Sequence, residues 1–203
     1  MLRTPPTKQK MTEHDRANGY ELMARTFMLR RSDIGQDVVR TWARTMPPGA
    51  IVLDLGCGHG VPISQALVEE ELVVYGIDAS PAMIAGFRHR FPNAATECAG
   101  VEASCFFDRA FDGVVAWGLM FLLAPEIQGM VVRKVSQALV PGGKFLFTSP
   151  EQACAWPDAL TGLKSVSLGA EEYCRILAAE GLTVIAQERD AGDNHYYLAA
   201  KKA

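Results

Sequence analysis

From Ile51 onward the chain alternates short runs of β-branched and apolar residues with longer stretches in which apolar residues return every three or four positions. That is the pattern of a largely parallel sheet covered by helices on both faces. The short runs predict strands at Ile51–Leu55, Val73–Ile77, Ala94–Cys98, Gly113–Trp117 and Lys144–Ser149. The stretches between them predict helices at Val61–Glu70, Pro81–Phe91 and Pro125–Leu139. Ser80 is placed to cap the second of these, with Pro81 at the first helical position, where the missing N–H costs nothing. A further helix over Ala170–Glu180 stops at Gly181, the residue type that most easily takes a left-handed cap. Leu182–Glu188 and His195–Ala200 read as two last strands joined by Arg189-Asp-Ala-Gly-Asp-Asn194, a connection short enough for a hairpin. Upstream of the break at Pro47-Pro48-Gly49, the residues Tyr20, Met23, Phe27, Ile34, Val38, Val39, Trp42 and Met46 recur at helical steps. They predict two amphipathic helices interrupted near Arg31-Ser32-Asp33. The expected organisation is a disordered tail over 1–15, a helical cap or lid over 16–46 and one α/β domain over 47–203, compact with the cap.

Composition narrows the partners. A chain of 203 residues, 49% hydrophobic, supports one core that buries about two thirds of the unfolded surface. With 20 Lys plus Arg against 23 Asp plus Glu and a net charge of -3, there is no electrostatic case for nucleic acid or an anionic membrane, and a small molecule is the expected partner. Cys57, Cys98, Cys105, Cys154 and Cys174 contain no C-x-x-C pair, so neither a disulfide framework nor a metal site is expected. No apolar run approaches the roughly 18 residues of a membrane span, and Met1–Lys10 lacks a signal-peptide core. The expected location is the cytoplasm.

The chemistry starts at Asp54-Leu-Gly-Cys-Gly-His-Gly60, a glycine-rich loop between a buried strand and a helix. Glycines let the backbone turn sharply and approach a ligand. A dinucleotide loop of the form G-x-G-x-x-G, counted from Gly56, requires glycine where Val61 stands, and Gly58 as a start also fails. Asp54 at the loop entrance repels a pyrophosphate but attracts the ammonium group of a methionine moiety. Twenty residues past Gly58, Val73-Val-Tyr-Gly-Ile-Asp78 ends a strand in an acid that can accept both hydrogen bonds of a ribose diol. Both positions point to S-adenosylmethionine.

Four motifs in order, VLDLGCGHG at 52–60, VYGIDAS at 74–80, FDGVVAWGL at 111–119 and LVPGGKFLFTSP at 139–150, resemble the class I S-adenosylmethionine-dependent methyltransferases over nearly all of 49–202. The resemblance implies a three-layer Rossmann-like α/β fold, its seven-stranded sheet mostly parallel and closed by an antiparallel hairpin. It implies that Asp54 and the backbone of Gly56, Cys57, Gly58 and Gly60 hold the methionine end, Asp78 the ribose, and Ala79 and Met83 the adenine. Tyr20 matches the family's lid tyrosine near the cofactor. Where the family usually carries an acid for the adenine amino group, followed by a residue whose N–H meets the ring, this chain has Gly100-Val101, which leaves Glu102 as the substitute acid. Trp117 falls where the family faces cofactor and acceptor.

Transfer of a methyl group from a sulfonium dissipates charge, so alignment in a dry pocket matters most and a general base is optional. In an open parallel sheet, ligands lie beyond the strand ends, which selects Trp117, Thr148, Ser149, Glu151 and the turn after Glu188 as acceptor-side candidates. His195, next to that turn, titrates near neutral pH and is the candidate base, with Asp193 and Tyr197 beside it. The sequence 116–119, Ala-Trp-Gly-Leu, lacks the Asn-Pro-Pro-Tyr of nucleic-acid amino methylation. The reading is therefore a methyltransferase of a small molecule. The alternatives are an S-adenosylmethionine-binding protein without catalysis, raised by Gly100, and an NAD-linked oxidoreductase, opposed by Asp54 and Val61.

Overall fold

The computed structural model describes residues 16–203, so the tail expected at 1–15 lies outside the described residues. Its strands are β1 (Ile51–Leu55), β2 (Val73–Asp78), β3 (Ala95–Cys98), β4 (Phe111–Ala116), β5 (Leu139–Thr148), β6 (Cys154–Pro157), β7 (Lys164–Ser167), β8 (Leu182–Arg189) and β9 (His195–Lys201). The helices are α1 (Tyr20–Arg30), α2 (Gln36–Ala43), α3 (Ile63–Glu69), α4 (Pro81–Arg90), α5 (Pro125–Ala138) and α6 (Ala170–Ala179). The seven-stranded sheet runs β3-β2-β1-β4-β5-β9-β8. β1 to β5 are mutually parallel, and β9 is antiparallel to both β5 and β8. This is the three-layer, Rossmann-like fold of class I methyltransferases. The strand order reverses between β1 and β4, which opens a crevice beyond their C-terminal ends.

Alternation along the strands fills both faces. On β5, Phe145 and Phe147 turn toward α5 and α6 with Val114, Tyr173 and Tyr197, while Leu146 joins Val39, Trp42, Leu67 and Phe87 on the other side. Trp42 and Met46 fill the space beside Gly113, where an added Cβ would lie 2.9 Å from each. α2 is therefore part of the core, and α1 is the element left to lie over the crevice. The helix ends follow local chemistry. Ser80 Oγ accepts the Met83 N–H at 3.1 Å, with Pro81 at the first turn, and Gly181 follows α6 with φ 77°.

One element departs from the expectation. β6 and β7 form a separate antiparallel hairpin between β5 and α6. β6 is largely exposed and ends in a proline, and the buried positions of β7 are the serines Ser165 and Ser167, so neither four-residue strand carries a hydrophobic period to announce it. A buried polar cluster moors the hairpin instead. Gln128, fully buried on α5, donates to the carbonyls of Leu123 and Val166 at 2.9 Å each and accepts the Tyr173 hydroxyl at 2.6 Å. The Tyr173 hydroxyl also meets Ser149 Oγ at 2.8 Å and accepts the Leu168 N–H at 3.3 Å. Tyr173→Phe leaves Gln128 and Leu168 short of a partner in a dry site. The expected loss is about 1–3 kcal/mol of unfolding free energy, read from urea melts.

Candidate functional site

A cavity of about 330 Å³ occupies the crevice beyond β1 and β4. Of the residues singled out in the sequence, Tyr20, Asp54, Gly56, Cys57, Gly58, Asp78, Ala79, Met83, Val101, Glu102 and Trp117 all line it. Gly60 does not: it faces Phe91 and Phe87, and a Cβ there would come within 2.3 Å of the Phe91 ring. His195 lines a neighbouring cavity instead. Tyr197 is in the core, stacked on Phe147 at 4.7 Å with 9° between the rings.

The loop after β1 is held in shape by its own backbone. Gly56, Gly58 and Gly60 take positive φ values of 69°, 54° and 86°, a region that L side chains avoid. The Gly56 and Cys57 N–H groups both donate to the Ile77 carbonyl, at 2.8 and 3.0 Å. The Gly58 N–H donates to Asp78 Oδ2 at 2.8 Å, and the Gly60 N–H to the Cys57 carbonyl at 2.9 Å. With these donors engaged inside the protein, the loop offers a ligand carbonyl oxygens and close approach. A phosphate, which needs free N–H groups, is poorly served.

The cavity is lined by four carboxylates, Asp54, Asp78, Glu102 and Asp158, and two cations, Arg16 and Arg31; the most deeply enclosed are Asp54, Asp78 and Arg31. Asp54, 2% exposed, accepts the Ser64 hydroxyl at 2.5 Å. Burial pushes its pKa up to about 7, with Asp78 adding to the rise and Ser64 and Arg31 opposing it. Asp78 is also raised by burial, while the N–H groups of Ser80, at 2.8 Å, and Gly58 draw it back. Burial likewise lifts the Cys57 thiol well above its ordinary value, so it stays an uncharged wall group. Arg31 lies over Trp117 with its guanidinium carbon 4.0 Å from the ring centroid, and 5.2 Å from that of Phe27. Its Nε–H donates to the Val61 carbonyl at 3.3 Å. Burial lowers its pKa to about 10, which keeps it charged at neutral pH.

Sequence reasoning did not single out Arg31: a cation at a break between helices reads as solvated, and its stacking on Trp117 exists only in three dimensions. Asp158, Ala159 and Leu160, also in the lining, come from the turn of the unexpected hairpin. Tyr20 on α1 donates to Asp158 Oδ2 at 3.1 Å, so cap and hairpin meet over the crevice. Trp117 Nε1 donates to the Tyr196 hydroxyl, which donates to Asp190 Oδ2, both at 2.7 Å. This chain of bonds fixes the indole plane.

Gly100 has a structural counterpart. A Cβ built on it would lie 2.5 Å from both carboxylate oxygens of Glu102, so that carboxylate occupies the space of the absent side chain. Lys134 fixes the segment by donating to the carbonyls of Val101, Glu102 and Ser104 at 2.7, 3.1 and 2.6 Å. Arg16 approaches the Glu102 carboxylate at 3.6 Å. Among the described residues, no helix is long and apolar enough to cross a membrane.

Residues 52–143 match a family model described as a methyltransferase domain. No curated protein matches the chain. Among solved structures, the Burkholderia thailandensis 1,6-didemethyltoxoflavin N1-methyltransferase, with 1,6-didemethyltoxoflavin and S-adenosylhomocysteine bound, is 17% identical; the match covers 91% of this chain and 84% of that one with a TM-score of 0.71. The magnesium protoporphyrin IX methyltransferase of Synechocystis PCC 6803, with S-adenosylmethionine bound, is 12% identical over 96% of this chain and 100% of that one, TM-score 0.71. The 4+2 cyclase SpnF is 17% identical over 83% and 82%, TM-score 0.67.

Proposed function

We propose, from the methyltransferase domain at 52–143, that this chain is an S-adenosylmethionine-dependent methyltransferase acting on a small molecule. The observation that carries the reading is the pairing of Asp54 with Arg31 in one buried cavity: a carboxylate and a guanidinium together complement the ammonium and carboxylate of an amino acid. Asp54 and the loop carbonyls take the ammonium, Arg31 the carboxylate, and Asp78 the ribose hydroxyls. Ala79, Met83 and Val101 wall the adenine, and Glu102 accepts from its amino group in place of the acid missing at Gly100. When bound, the cofactor supplies an electrophilic methyl group on sulfur. Trp117, held by Tyr196 and flanked by Arg31, gives an apolar wall that excludes water where charge is dissipated. Within the cap segment 16–46, α1 closes the site through its Tyr20–Asp158 contact, while α2 anchors the segment to the core.

Solved neighbours are methyltransferases of 1,6-didemethyltoxoflavin and magnesium protoporphyrin IX, which supports a small organic acceptor. SpnF, a cyclase on the same fold, favours keeping a second reading in which the cofactor binds without methyl transfer. Incubation with a metabolite extract and methyl-labelled cofactor separates the two: label on a small molecule supports the transferase, and S-adenosylhomocysteine binding with no labelled product contradicts it. Location in the cytoplasm stays part of the proposal and is tested by fractionation. Glu102→Ala is expected to weaken S-adenosylhomocysteine binding about tenfold. It should also erase the preference for that ligand over S-inosylhomocysteine, which lacks the amino group. Calorimetry showing an unchanged preference would remove Glu102 from the adenine site.

A further inference from the structure

A second cavity of about 570 Å³ adjoins the first and shares Phe121, Asp158 and Ala159 with it. It is bounded by the end of β5, the β6–β7 hairpin and the β8–β9 turn. His195 lines it while only 6% exposed. Its Nε2 lies 2.9 Å from Gln187 Oε1. An amide oxygen only accepts, so Nε2 carries the hydrogen and Nδ1 keeps its lone pair. That Nδ1 is buried and has no hydrogen-bond partner among the described residues. A buried lone pair without a donor is unfavourable, which makes it a site for one.

The walls restrict what brings that donor. Phe121 and Trp156, with ring centroids 5.5 Å apart at 45°, offer faces on which a flat ring can stack. Glu151, Asp158 and Asp193 outnumber the single cation Arg189, which already pairs with Glu151 and Asp193 at 2.7 and 2.8 Å. The surplus negative charge disfavours carboxylate and phosphate acceptors.

Resting on the methyltransferase reading, we propose that this second cavity is the acceptor subsite. His195 Nδ1 takes the proton of a planar, non-anionic aromatic acceptor bearing a hydroxyl or ring N–H, and Gln187 is the positioning residue that holds the imidazole in that tautomer. The acceptor O–H or N–H bond breaks toward Nδ1, and the freed pair bonds to the methyl carbon. The carbon–sulfur bond breaks with its pair on sulfur, and the imidazolium returns its proton to water. The charged groups around the ring are Glu151 beyond β5, Arg189 on β8 and Asp193 in the turn, and the Tyr197 ring packs against it at 4.7 Å. Burial holds the imidazole below its ordinary pKa, so it is the neutral, proton-accepting form at neutral pH.

Nitrogen-15 NMR of the imidazoles tests this without turnover, with His195 assigned from the signals lost in His195→Asn. The expected result is an Nε2–H tautomer with a midpoint below about 6.5. Gln187→Glu is expected to raise that midpoint by about one pH unit and leave S-adenosylhomocysteine affinity unchanged. In the presence of S-adenosylhomocysteine, the fluorescent probe 7-hydroxycoumarin should bind wild type about tenfold more tightly than His195→Asn. It should also bind better than its methoxy analogue and its 3-carboxylate. An Nδ1–H tautomer, a midpoint indifferent to Gln187→Glu, equal binding to His195→Asn, or no binding of the probe at all overturns the proposal. Failure of S-adenosylhomocysteine itself to bind wild type would instead sink the cofactor reading, and the tautomer measurement would still decide the state of His195.

Discussion

Asp78→Ala is expected to lower the affinity for S-adenosylhomocysteine by about 100-fold, read by calorimetry at neutral pH, because in the proposed assignment the carboxylate serves loop and ligand together. Each oxygen accepts one backbone N–H at 2.8 Å, Oδ2 from Gly58 and Oδ1 from Ser80. A hydrogen bond to a charged acceptor contributes about 1.5–3 kcal/mol, so the ribose contact alone accounts for roughly tenfold to hundredfold. Alanine also frees the Gly58 N–H, and the left-handed turn that carries Gly56 and Gly58 loses its tie to β2. Asp78→Asn keeps one accepting oxygen and turns an amide donor toward the other N–H, so it should fall between the two, at about tenfold. Stability should move less than affinity. Burial already raises the pKa of this carboxylate, so removing it relieves part of the cost of desolvation. An Asp78→Ala protein that is folded and binds the ligand as tightly as wild type would contradict the ribose assignment.

The sheet was legible in the sequence because β1, β2, β4, β5 and β9 bury at least one face, and burial writes a period or an apolar run; the edge strands β3 and β8, with little or nothing fully buried, were legible from their spacing and flanking turns. The β1 boundaries agree to the residue, and the others differ by a few residues where polar ends such as Asp78 and Arg189 extend the pairing. The one longer discrepancy is β5, which begins at Leu139, before Pro141-Gly142-Gly143, because Leu139 pairs with Phe111 ahead of an irregularity in the register. The β6–β7 hairpin left no trace because its stability rests on Gln128 and Tyr173, far away in sequence. Glu102 was named from the sequence as a candidate substitute acid, and only coordinates show its carboxylate in the space beside Gly100. Arg31 illustrates the converse. Its neighbours marked a helix break correctly, yet nothing local distinguishes a guanidinium stacked on Trp117 from one in water.

Asp54→Asn is the second large effect, and its sign depends on pH. Free of ligand, the folded-state pKa of Asp54 stands at about 7 against a reference of 3.8. Between those values the folded protein holds a proton that the unfolded chain has released. Stability from this group is therefore complete below about pH 4 and is lost as pH rises to about 7, by roughly 4 kcal/mol in all. Asparagine is neutral throughout and keeps an oxygen for the Ser64 hydroxyl. Its melting temperature should thus be close to wild type in acid and exceed it by a growing margin up to neutrality. Ligand binding runs the other way. In the proposed assignment the ammonium of S-adenosylhomocysteine needs the Asp54 carboxylate ionised, so wild-type affinity should rise about tenfold per pH unit below the midpoint and level off above it. Asp54→Asn should bind about 100-fold more weakly at neutral pH, with the slope abolished. A variant that gains thermal stability with rising pH while losing the ligand would mark Asp54 as a buried charge kept for the cofactor. A pH-independent difference between the two proteins, in both melting and binding, would contradict that role.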